Sequence, residues 1–572
     1  MSCHNAQLRV LFPSLFLGLV MIEGCATRAP AHREAALAKP GAAVCSQPNL
    51  AVEEYFGRID WIKKNHPELA LILKKFPKGA DLHNHLSGSV MPEEYLALGS
   101  AKGDCFGPED PKTPNLFKIV SAKNGACPDG FKPLKQADAK EQQLLLRSLS
   151  MYQFNDRGPT AVQAGHDQFF ATFVRFGAES GSPDNIGPML AKLLQQAQSD
   201  GVGYMETMAS FQSAAIGGLA NTLRKQYPDP AAFSDRGNYP AMLNDLQREG
   251  LKNAVAAARK DVATYLDQAN RALGCGAATA DPACEVAFGF QAAANRNSSL
   301  PDGSPDLAKM FTQIALSSTL ADLEPRVVGV NLVSGEDAPV SMSSFKIQMQ
   351  FFAFFHDRFP KVNIALHGGE LTPCFAGADP SAMKDHIAGA IQAGAKRVGH
   401  AVSFAFLNDR DKDAVAGLMR QNHILVEVPL TSNAQILGVA GAVHPFEQYF
   451  RRYKVPVAFS TDDEGVSYAD YTSEWIYAVG QYHLTYIEAV KLARASLEYS
   501  FLSGESLWLG DGSKIVGQCE AEILGVPDPK EPCKSFLLKN PKAKIQWRYE
   551  EKLAAFDREY GSTVQRQFDS IN

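Results

Sequence analysis

The 572-residue sequence lacks several features that mark particular classes of protein. No two cysteines are spaced as CxxC, which argues against a zinc site built from thiolates. The net charge of −6 is spread over the whole chain, so no clustered basic face predicts binding to nucleic acid or to an anionic membrane surface. No internal repeat of fixed period occurs. With 45% hydrophobic and 21% charged residues, the composition is that of an ordinary globular protein.

The N-terminal apolar run, Val10 to Ile22, is too short to span a bilayer, which takes about 20 residues. Its length is typical of the core of a signal peptide. The Gly24-Cys25 pair that follows resembles the cleavage site of a bacterial lipoprotein, although Glu23 stands where a small residue is usual. Three interpretations stay open: a lipoprotein with a lipid anchor on Cys25, simple secretion with cleavage a few residues later, and a buried helix.

These observations predict a three-part chain. Residues 1–25 form the signal peptide, residues 26–50 form a flexible tether rich in Ala and Pro, and residues 51–572 form one large domain. We expect an exported protein in the periplasm or outside the cell, either free or anchored to a membrane.

Six of the ten cysteines form three pairs that are close in sequence, each in a stretch rich in Gly, Pro or Asp. In an exported chain such pairs are candidates for disulfides that staple loops. In a cytosolic chain, all ten would be free thiols. The three pairs are Cys105/Cys127, Cys275/Cys284 and Cys519/Cys533.

Eight short apolar runs alternate with longer helical segments. Most of them lack polar alternation, as expected of strands that are buried on both faces. Strands of this kind that alternate with helices predict a parallel sheet of the α/β class, and eight units predict a closed (β/α)8 TIM barrel. The predicted strands are 79–86, 201–207, 285–291, 326–333, 362–367, 397–403, 424–429 and 456–461.

Other segments lie outside the eight units. Helical patterns at 51–75 and 546–560 predict extra N- and C-terminal helices. The polar stretch at about 100–156 predicts an insertion after the first strand, and 510–541 is a second irregular region.

Histidines and acids follow the ends of four predicted strands. His83 and His85 are two residues apart on the first strand, so both side chains point to the same face. The fifth strand ends in His367-Gly-Gly-Glu370, and the sixth ends at His400. Each motif alone has a simpler interpretation: polar residues at a strand end, an acid at a helix N-terminus beside a surface histidine, or a lone buried histidine.

Three successive acids, Asp462, Asp463 and Glu464, follow the eighth predicted strand. They would repel one another unless a cation compensates, although a cluster capping the next helix is the alternative. In a barrel the carboxyl ends of all strands meet at one face, where barrel enzymes keep their active sites. Three histidines and one aspartate suit a zinc ion with an open position for water, so we expect one catalytic zinc ion per chain.

The ordered motifs from about residue 78 to 505 resemble the adenosine deaminase family of amidohydrolase barrels. The motifs are HNHLSG (83–88), YMET (204–207), VVGVNLVSGED (327–337), HGGE (367–370), RVGHAV (397–402), EVPLTSN (427–433) and STDDEG (460–465). The insertion and the export signal make the sequence most similar to the secreted branch, the adenosine deaminase growth factors. Members of that branch dimerise through a disulfide-containing insertion, so the resemblance implies a homodimer.

The resemblance also implies a role for each residue of the site. His83, His85, His367 and Asp462 would bind Zn²⁺, Glu370 would donate a proton to purine N1, and His400 would stabilise the zinc-bound hydroxide. Glu370, His400 and Asp462 form the expected catalytic set. Asp463 would hydrogen-bond N7, and the backbone near Ser334 and Gly335 would face the base edge. The expected reaction is zinc-dependent hydrolytic deamination of adenosine or a related 6-aminopurine nucleoside to the inosine-type product and ammonia.

The sequence departs from the family pattern around the sugar. Ser87 stands where the family has an acid that contacts the ribose 5′-hydroxyl, Asn331 replaces an aspartate, and Ser334 replaces a glycine. Two other functions stay open: another mononuclear amidohydrolase reaction, and a non-catalytic secreted binding or signalling protein. A binuclear amidohydrolase is disfavoured because the fourth strand has no lysine to bridge two metals. The PCxxC motif of cysteine-ligated zinc deaminases is absent.

Overall fold

The computed structural model describes residues 50–154, 161–375, 380–510 and 514–571. The predicted signal peptide, the tether up to residue 49 and Cys25 lie outside the described residues. Within the described ranges, no helix combines the length and the apolar character needed to cross a membrane.

Eight parallel strands form one sheet in which each strand pairs with its neighbours in chain order, and this confirms the predicted (β/α)8 barrel. All eight predicted strands are present, with ends that differ by a few residues. The strands are β1 (Gly79–His85), β2 (Val202–Ala209), β3 (Ala287–Asn295), β4 (Val327–Val333), β5 (Asn363–Gly368), β6 (Arg397–His400), β7 (Leu425–Val428) and β8 (Val457–Phe459).

The barrel closes where the residues after β8 meet the end of β1. The main-chain N–H of Asp462 donates to the carbonyl of His83, and the N–H of His85 donates to the carbonyl of Asp462, both at 2.9 Å. Asn84 and Asp462 thereby form a parallel bridge. Closure therefore joins two segments that are about 380 residues apart at the carboxyl ends of their strands.

Helices occupy the connections between the strands and surround the sheet. Their apolar faces pack on the strands, which are almost entirely buried. Between β1 and β5 the helices are Leu86–Ser89, Pro92–Lys102, Ala139–Leu149, Ala161–Arg175, Gly177–Ser180, Pro183–Ser199, Ser213–Gln226, Tyr239–Arg248, Leu251–Ala272, Leu307–Leu323 and Pro339–Arg358. After β5 they are Ala382–Gln392, Asp409–Gln421, Leu430–Leu437, Glu464–Ser467, Tyr471–Tyr482, Tyr486–Glu498, Cys533–Lys539 and Pro541–Asp569. In the described part of the chain before β1 they are Leu50–Asn65 and Pro67–Lys75.

The region predicted as an insertion carries its own small antiparallel sheet. Cys105–Pro108 is the central strand, flanked by Phe117–Val120 and Lys132–Pro133. The predicted disulfide Cys105–Cys127 staples this sheet, and the predicted pairs Cys275–Cys284 and Cys519–Cys533 are also confirmed as disulfides. Cys374 is disulfide-bonded as well.

Some predicted elements end earlier than expected for backbone reasons. Between β2 and β3, the helices Tyr239–Arg248 and Leu251–Ala272 are separated at Gly250, whose φ of 115° is incompatible with a continuous helix. The N-terminal stretch is also two helices, because Pro67 begins a new one and cannot donate to the preceding turn. Strand β6 stops at His400, because His400 and Ala401 adopt φ values of 63° and 48°.

The first helix docks on Tyr471–Tyr482 through the glycine at position 480. Arg58 donates two hydrogen bonds to the carbonyl of Gly480, the shorter at 2.6 Å. A Cβ atom at position 480 would lie 2.0 Å from Cδ1 of Ile62, which is fully buried. Only glycine lets the two helices approach this closely.

We expect Gly480→Ala to lower the free energy of unfolding by about 1–3 kcal/mol through overpacking. Chemical denaturation measures this change, and Ile62→Ala in the same chain should recover part of the loss by making room. Gly218→Ala is the matched control, because position 218 is an exposed helical glycine with open space around it. That control should be neutral or slightly stabilising, and equal behaviour of the two glycine variants would contradict the docking argument.

Candidate active site

Four side chains predicted as ligands converge at the carboxyl end of the barrel. Nε2 of His85 lies 3.2 Å from Nε2 of His367 and 3.1 Å from Oδ1 of Asp462. Nε2 of His83 lies 3.4 Å from the same Asp462 oxygen. Strands β1 and β5 and the turn after β8 thus place three imidazoles and one carboxylate around a common point.

The spacing fits a site for one metal ion. Ligand atoms that share one ion at bond lengths of about 2.0–2.1 Å lie roughly 3–3.5 Å apart, close to the distances seen here. Nε2 of His83 is buried without a hydrogen-bond partner, which is expected of an atom whose partner is a cation. His83, His367, His400 and Asp462 form one candidate ligand group, and His85, Asp462 and Asp463 another. Because Nε2 of His400 is 3.8 Å from Asp462, His85 is the nearer fourth donor.

The charge of the centre also favours a cation. Burial lowers the pKa of His83, but its contacts with Asp462 and Glu427 outweigh burial and raise that pKa to about 10. The carboxylates of Asp462 and Glu427 therefore favour a positive charge at this point. By contrast, burial and the neighbouring histidines lower the pKa of His367 well below its ordinary value, which leaves its ring neutral and able to act as a ligand.

A second layer of side chains orients the ligating histidines. Nδ1 of His83 lies 2.7 Å from Glu427, and Nδ1 of His367 lies 3.1 Å from Oδ1 of Asn331. Both partners accept a hydrogen bond from the Nδ1–H group, which leaves the lone pair of Nε2 free to face the centre. Asn331, a departure from the family pattern, thus supports one of the predicted ligands, and it also donates to Gln291 at 2.9 Å.

Beneath this layer lies a fully buried cluster of charges. Arg397 donates to Glu427 and Glu206, and its guanidinium also lies 3.7 Å from the ring centroid of Phe501. Glu206 in turn accepts from the side chain of Gln291 at 3.0 Å. The cluster therefore connects the supports of His83 and His367 from below.

Glu370 lies beside the ligands on a loop with its own anchors. Glu336, which is fully buried, accepts from the main-chain N–H groups of Gly369 at 3.1 Å and Glu370 at 2.7 Å. Arg296 donates to the carbonyl of His367 at 2.8 Å. Burial, together with Asp462 and Glu336, raises the pKa of Glu370 well above its ordinary value. Because His367 is only 3% exposed, the alternative of an acid beside a surface histidine is wrong.

Asp463 is also a buried acid that does not cap a helix. It precedes the short helix Glu464–Ser467 but makes no side-chain capping bond, so the capping interpretation of these acids is wrong for Asp463. Burial and Asp462 raise its pKa well above the ordinary value. Gly88 makes room for it, because a Cβ at that position would lie 1.6 Å from Oδ1 of Asp463.

A cavity of about 520 Å³ opens beside His85. His85 and Ser87 line it together with Met208, Tyr265 and Asp261. The other two predicted contact residues lie at the end of β4, where Asn297 donates to the hydroxyl of Ser334 at 3.1 Å and to the carbonyl of Gly335 at 2.8 Å. Ser334 and Gly335 are not among the residues that line this cavity, and their contact with a base remains a prediction.

Several residues that support the site have no role predicted from the sequence. They are Glu206, Arg296, Glu336, Arg397 and Glu427. One signal was available: Glu427 interrupts the apolar strand Leu425–Val428, and a charge inside such a run indicates a buried partner. The distances across the barrel that identify the partners have no counterpart in sequence.

Residues 306–507 match the family model described as adenosine deaminase. This stretch contains β4 to β8 and therefore His367, Glu370, His400 and Asp462, but not β1. No curated protein matches the chain.

Two solved structures are similar in fold. The N6-methyl-AMP deaminase of Arabidopsis thaliana is 16% identical, with a TM-score of 0.45, and the match covers 76% of this chain and 94% of that chain. The adenine deaminase of Arthrobacter aurescens is 18% identical, with a TM-score of 0.44, and the match covers 75% and 94%.

We expect Zn²⁺ to raise the Tm of the chelator-treated protein, because a ligand that binds only the folded state stabilises it. At a free concentration of 100 times the Kd, the gain is about 2.7 kcal/mol. Asp462→Asn should abolish most of this shift, since it removes the ligand charge while asparagine tolerates the φ of 59°. His423→Asn is the control, because His423 is exposed and belongs to neither candidate ligand group. Equal shifts in both variants, measured by scanning calorimetry, would exclude this metal site.

Proposed function

We propose that this protein is a zinc-dependent hydrolase that deaminates a 6-aminopurine nucleoside, with adenosine as the first candidate. Water adds to C6 of the ring, the C6–N bond breaks, and ammonia leaves with the inosine-type product. The observation that carries the proposal is the convergence of His83, His85, His367 and Asp462 with Glu370 at one end of the barrel. The match of residues 306–507 to the adenosine deaminase family model supports it.

The residues present divide the chemistry among them. A zinc ion held by the four ligands would lower the pKa of a coordinated water to about 7. Glu370 lies on the rigid loop beside them and is suited to give a proton to N1 as the ring accepts electrons. His400, 3.7 Å from Glu370, faces the same space and is placed to orient the attacking oxygen. The ring can then collapse with loss of ammonia.

Asp463 fits a contact with N7 of the purine. N7 has only a lone pair, so its partner must donate, and a carboxyl group donates only when it is protonated. Oδ1 of Asp463 is buried without a hydrogen-bond partner and is held by close packing against Gly88. Burial, which raises the pKa of Asp463, favours the protonated form.

The cavity beside His85 supports an uncharged nucleoside as the substrate. Its lining contains no lysine or arginine, and Asp261 is its one carboxylate. A 5′-phosphate placed there would lose its hydration without gaining a cationic partner. Ser87 can hydrogen-bond a sugar hydroxyl, although without the charge of the acid usual in the family.

Two other functions are less well supported. β4 carries no lysine, which disfavours a binuclear amidohydrolase. A binding protein on an inactive barrel would not need the complete set of buried ligands and acids. Ammonia release from adenosine, deoxyadenosine and adenine separates these functions, because no turnover with zinc bound favours another hydrolase and no bound zinc favours a binding protein.

We also propose that the chain is exported. Three disulfides in the described part of the chain support an oxidising compartment. A lipid anchor on Cys25 and a homodimer formed through the insertion, as in the secreted branch, belong to the same proposal.

Glu370→Gln should lower kcat for adenosine by about 10²–10⁴-fold, because glutamine keeps the shape but cannot deliver a proton. Zinc content, measured by elemental analysis, should stay at one ion per chain. Glu505→Gln, an acid outside the site, should leave kcat unchanged. Retention of activity in Glu370→Gln would contradict the assigned role.

We expect kcat/KM for adenosine to exceed that for AMP by at least about tenfold, because the 5′-phosphate of AMP would lie near Asp261 without a cationic partner. Asp261→Asn should raise kcat/KM for AMP by about fivefold, since it removes one like charge worth about 1 kcal/mol. Asp267→Asn, on the exposed side of the same helix, should change kcat/KM for neither adenosine nor AMP. Faster turnover of AMP than of adenosine would contradict the nucleoside assignment.

A further inference from the structure

A chain of three buried polar side chains leads away from His400. Nδ1 of His400 lies 2.9 Å from one terminal atom of the Asn433 amide. The other terminal atom of that amide lies 3.0 Å from Nε2 of His444. All three residues are at most 2% exposed.

The main chain determines which nitrogen of His444 carries the proton. The N–H of Phe446 donates to Nδ1 of His444 at 3.1 Å, and a main-chain N–H can only donate. Nδ1 therefore carries the lone pair. Burial and the neighbouring His400 lower the pKa of His444 to about 3, so the ring is neutral and has one proton. That proton is on Nε2.

The proton on His444 in turn determines the orientation of Asn433. An Nε2–H group needs an acceptor, so the carbonyl oxygen of Asn433 must face His444. The NH₂ group of Asn433 then faces His400. The two ends of an amide have the same shape, so this orientation needs no additional space. The opposite orientation would set two donors against each other 3.0 Å apart, at a buried position where each lost hydrogen bond is costly.

The same logic extends to His400. Its Nδ1 accepts from the NH₂ group of Asn433, and the carboxylate of Glu370 is 3.7 Å from that nitrogen, beyond hydrogen-bond distance. A ring nitrogen that accepts a hydrogen bond carries no proton, so the ring of His400 is also neutral. The single proton of His400 is therefore on Nε2, which is buried and has no hydrogen-bond partner in the described protein.

We propose that Asn433 and His444 are positioning residues that hold His400 as the tautomer with its proton on Nε2, directed at the metal centre. His400 then donates a hydrogen bond to the attacking oxygen and does not remove a proton from it. The role in catalysis rests on the proposed deaminase function, whereas the tautomer does not.

The tautomer can be measured directly by ¹⁵N magic-angle-spinning NMR on the full chain with ¹⁵N-labelled histidine. The signals of His400 are assigned among the 13 histidines by their loss in His400→Gln. We expect a protonated, pyrrole-type Nε2 and an unprotonated, pyridine-type Nδ1, in both the chelator-treated and the zinc-loaded protein. The reverse assignment would overturn the proposal. Because no turnover is needed, failure of the deaminase assignment leaves this result intact.

Asn433→Asp tests the relay. A carboxylate cannot donate to Nδ1 of His400 and instead attracts a proton there, so we expect the two ¹⁵N signals of His400 to exchange character. We also expect kcat to fall by about 10–100-fold with little change in KM, as for other supporting partners of a metal site. Asn422→Asp, at an exposed helix end, is the matched control and should leave signals and kcat unchanged.

His444→Leu is the second variant, because it removes the group that orients Asn433. We expect a mixture of both His400 tautomers and a smaller loss of kcat than in Asn433→Asp. If the His400 signals stay the same in both variants, the relay does not set the tautomer and the proposal is wrong. A variant that fails to fold would be recognised by its lost Tm transition, and the NMR assignment of the unmodified protein then decides alone.

Discussion

The main-chain hydrogen bonds between Asp462 and β1 are the constraint on which the site depends. They close the barrel, and they join the residues that carry the proposed ligands: His83 and His85 on one side and Asp462 on the other. Asp462 adopts a φ of 59°, and its carboxylate lies 3.1 Å from Nε2 of His85 and 3.4 Å from Nε2 of His83. Fold closure and assembly of the centre are therefore one event, and a chain that fails to close cannot gather its ligands.

The buried charges beneath the centre are a second organising feature. Arg397 forms ion pairs with both Glu206 and Glu427. Glu427 holds Nδ1 of His83, and Glu206 accepts from Gln291, the partner of the Asn331 that supports His367. Buried ion pairs of this kind contribute little net stability, since desolvation offsets much of their attraction. We infer that their value lies in geometry, because a ligand whose Nδ1 is held by a fixed partner presents Nε2 in one direction only.

Sequence patterns alone determined the fold class and predicted the main residues of the candidate site. All eight strands were identifiable because strands buried on both faces are mostly apolar, without polar alternation, and long helical segments separate them. The positions of His83, His367 and Asp462 followed because the carboxyl ends of parallel strands meet at one face. The three confirmed disulfides were visible as local pairs, since short loops bring their cysteines together without long-range information.

Tertiary structure decided everything that depends on distances across the barrel. Glu427 and His83 are 344 positions apart, and no periodicity relates them, yet their side chains lie 2.7 Å from each other. The same applies to the Glu336 carboxylate that anchors the Glu370 loop. The left-handed backbone at His400, Ala401 and Asp462 was equally hidden, because non-glycine residues adopt it only when surrounding contacts impose it. Local sequence patterns predict which side chains belong to the candidate site, whereas the protonation, orientation and partners of those side chains arise from packing between distant segments.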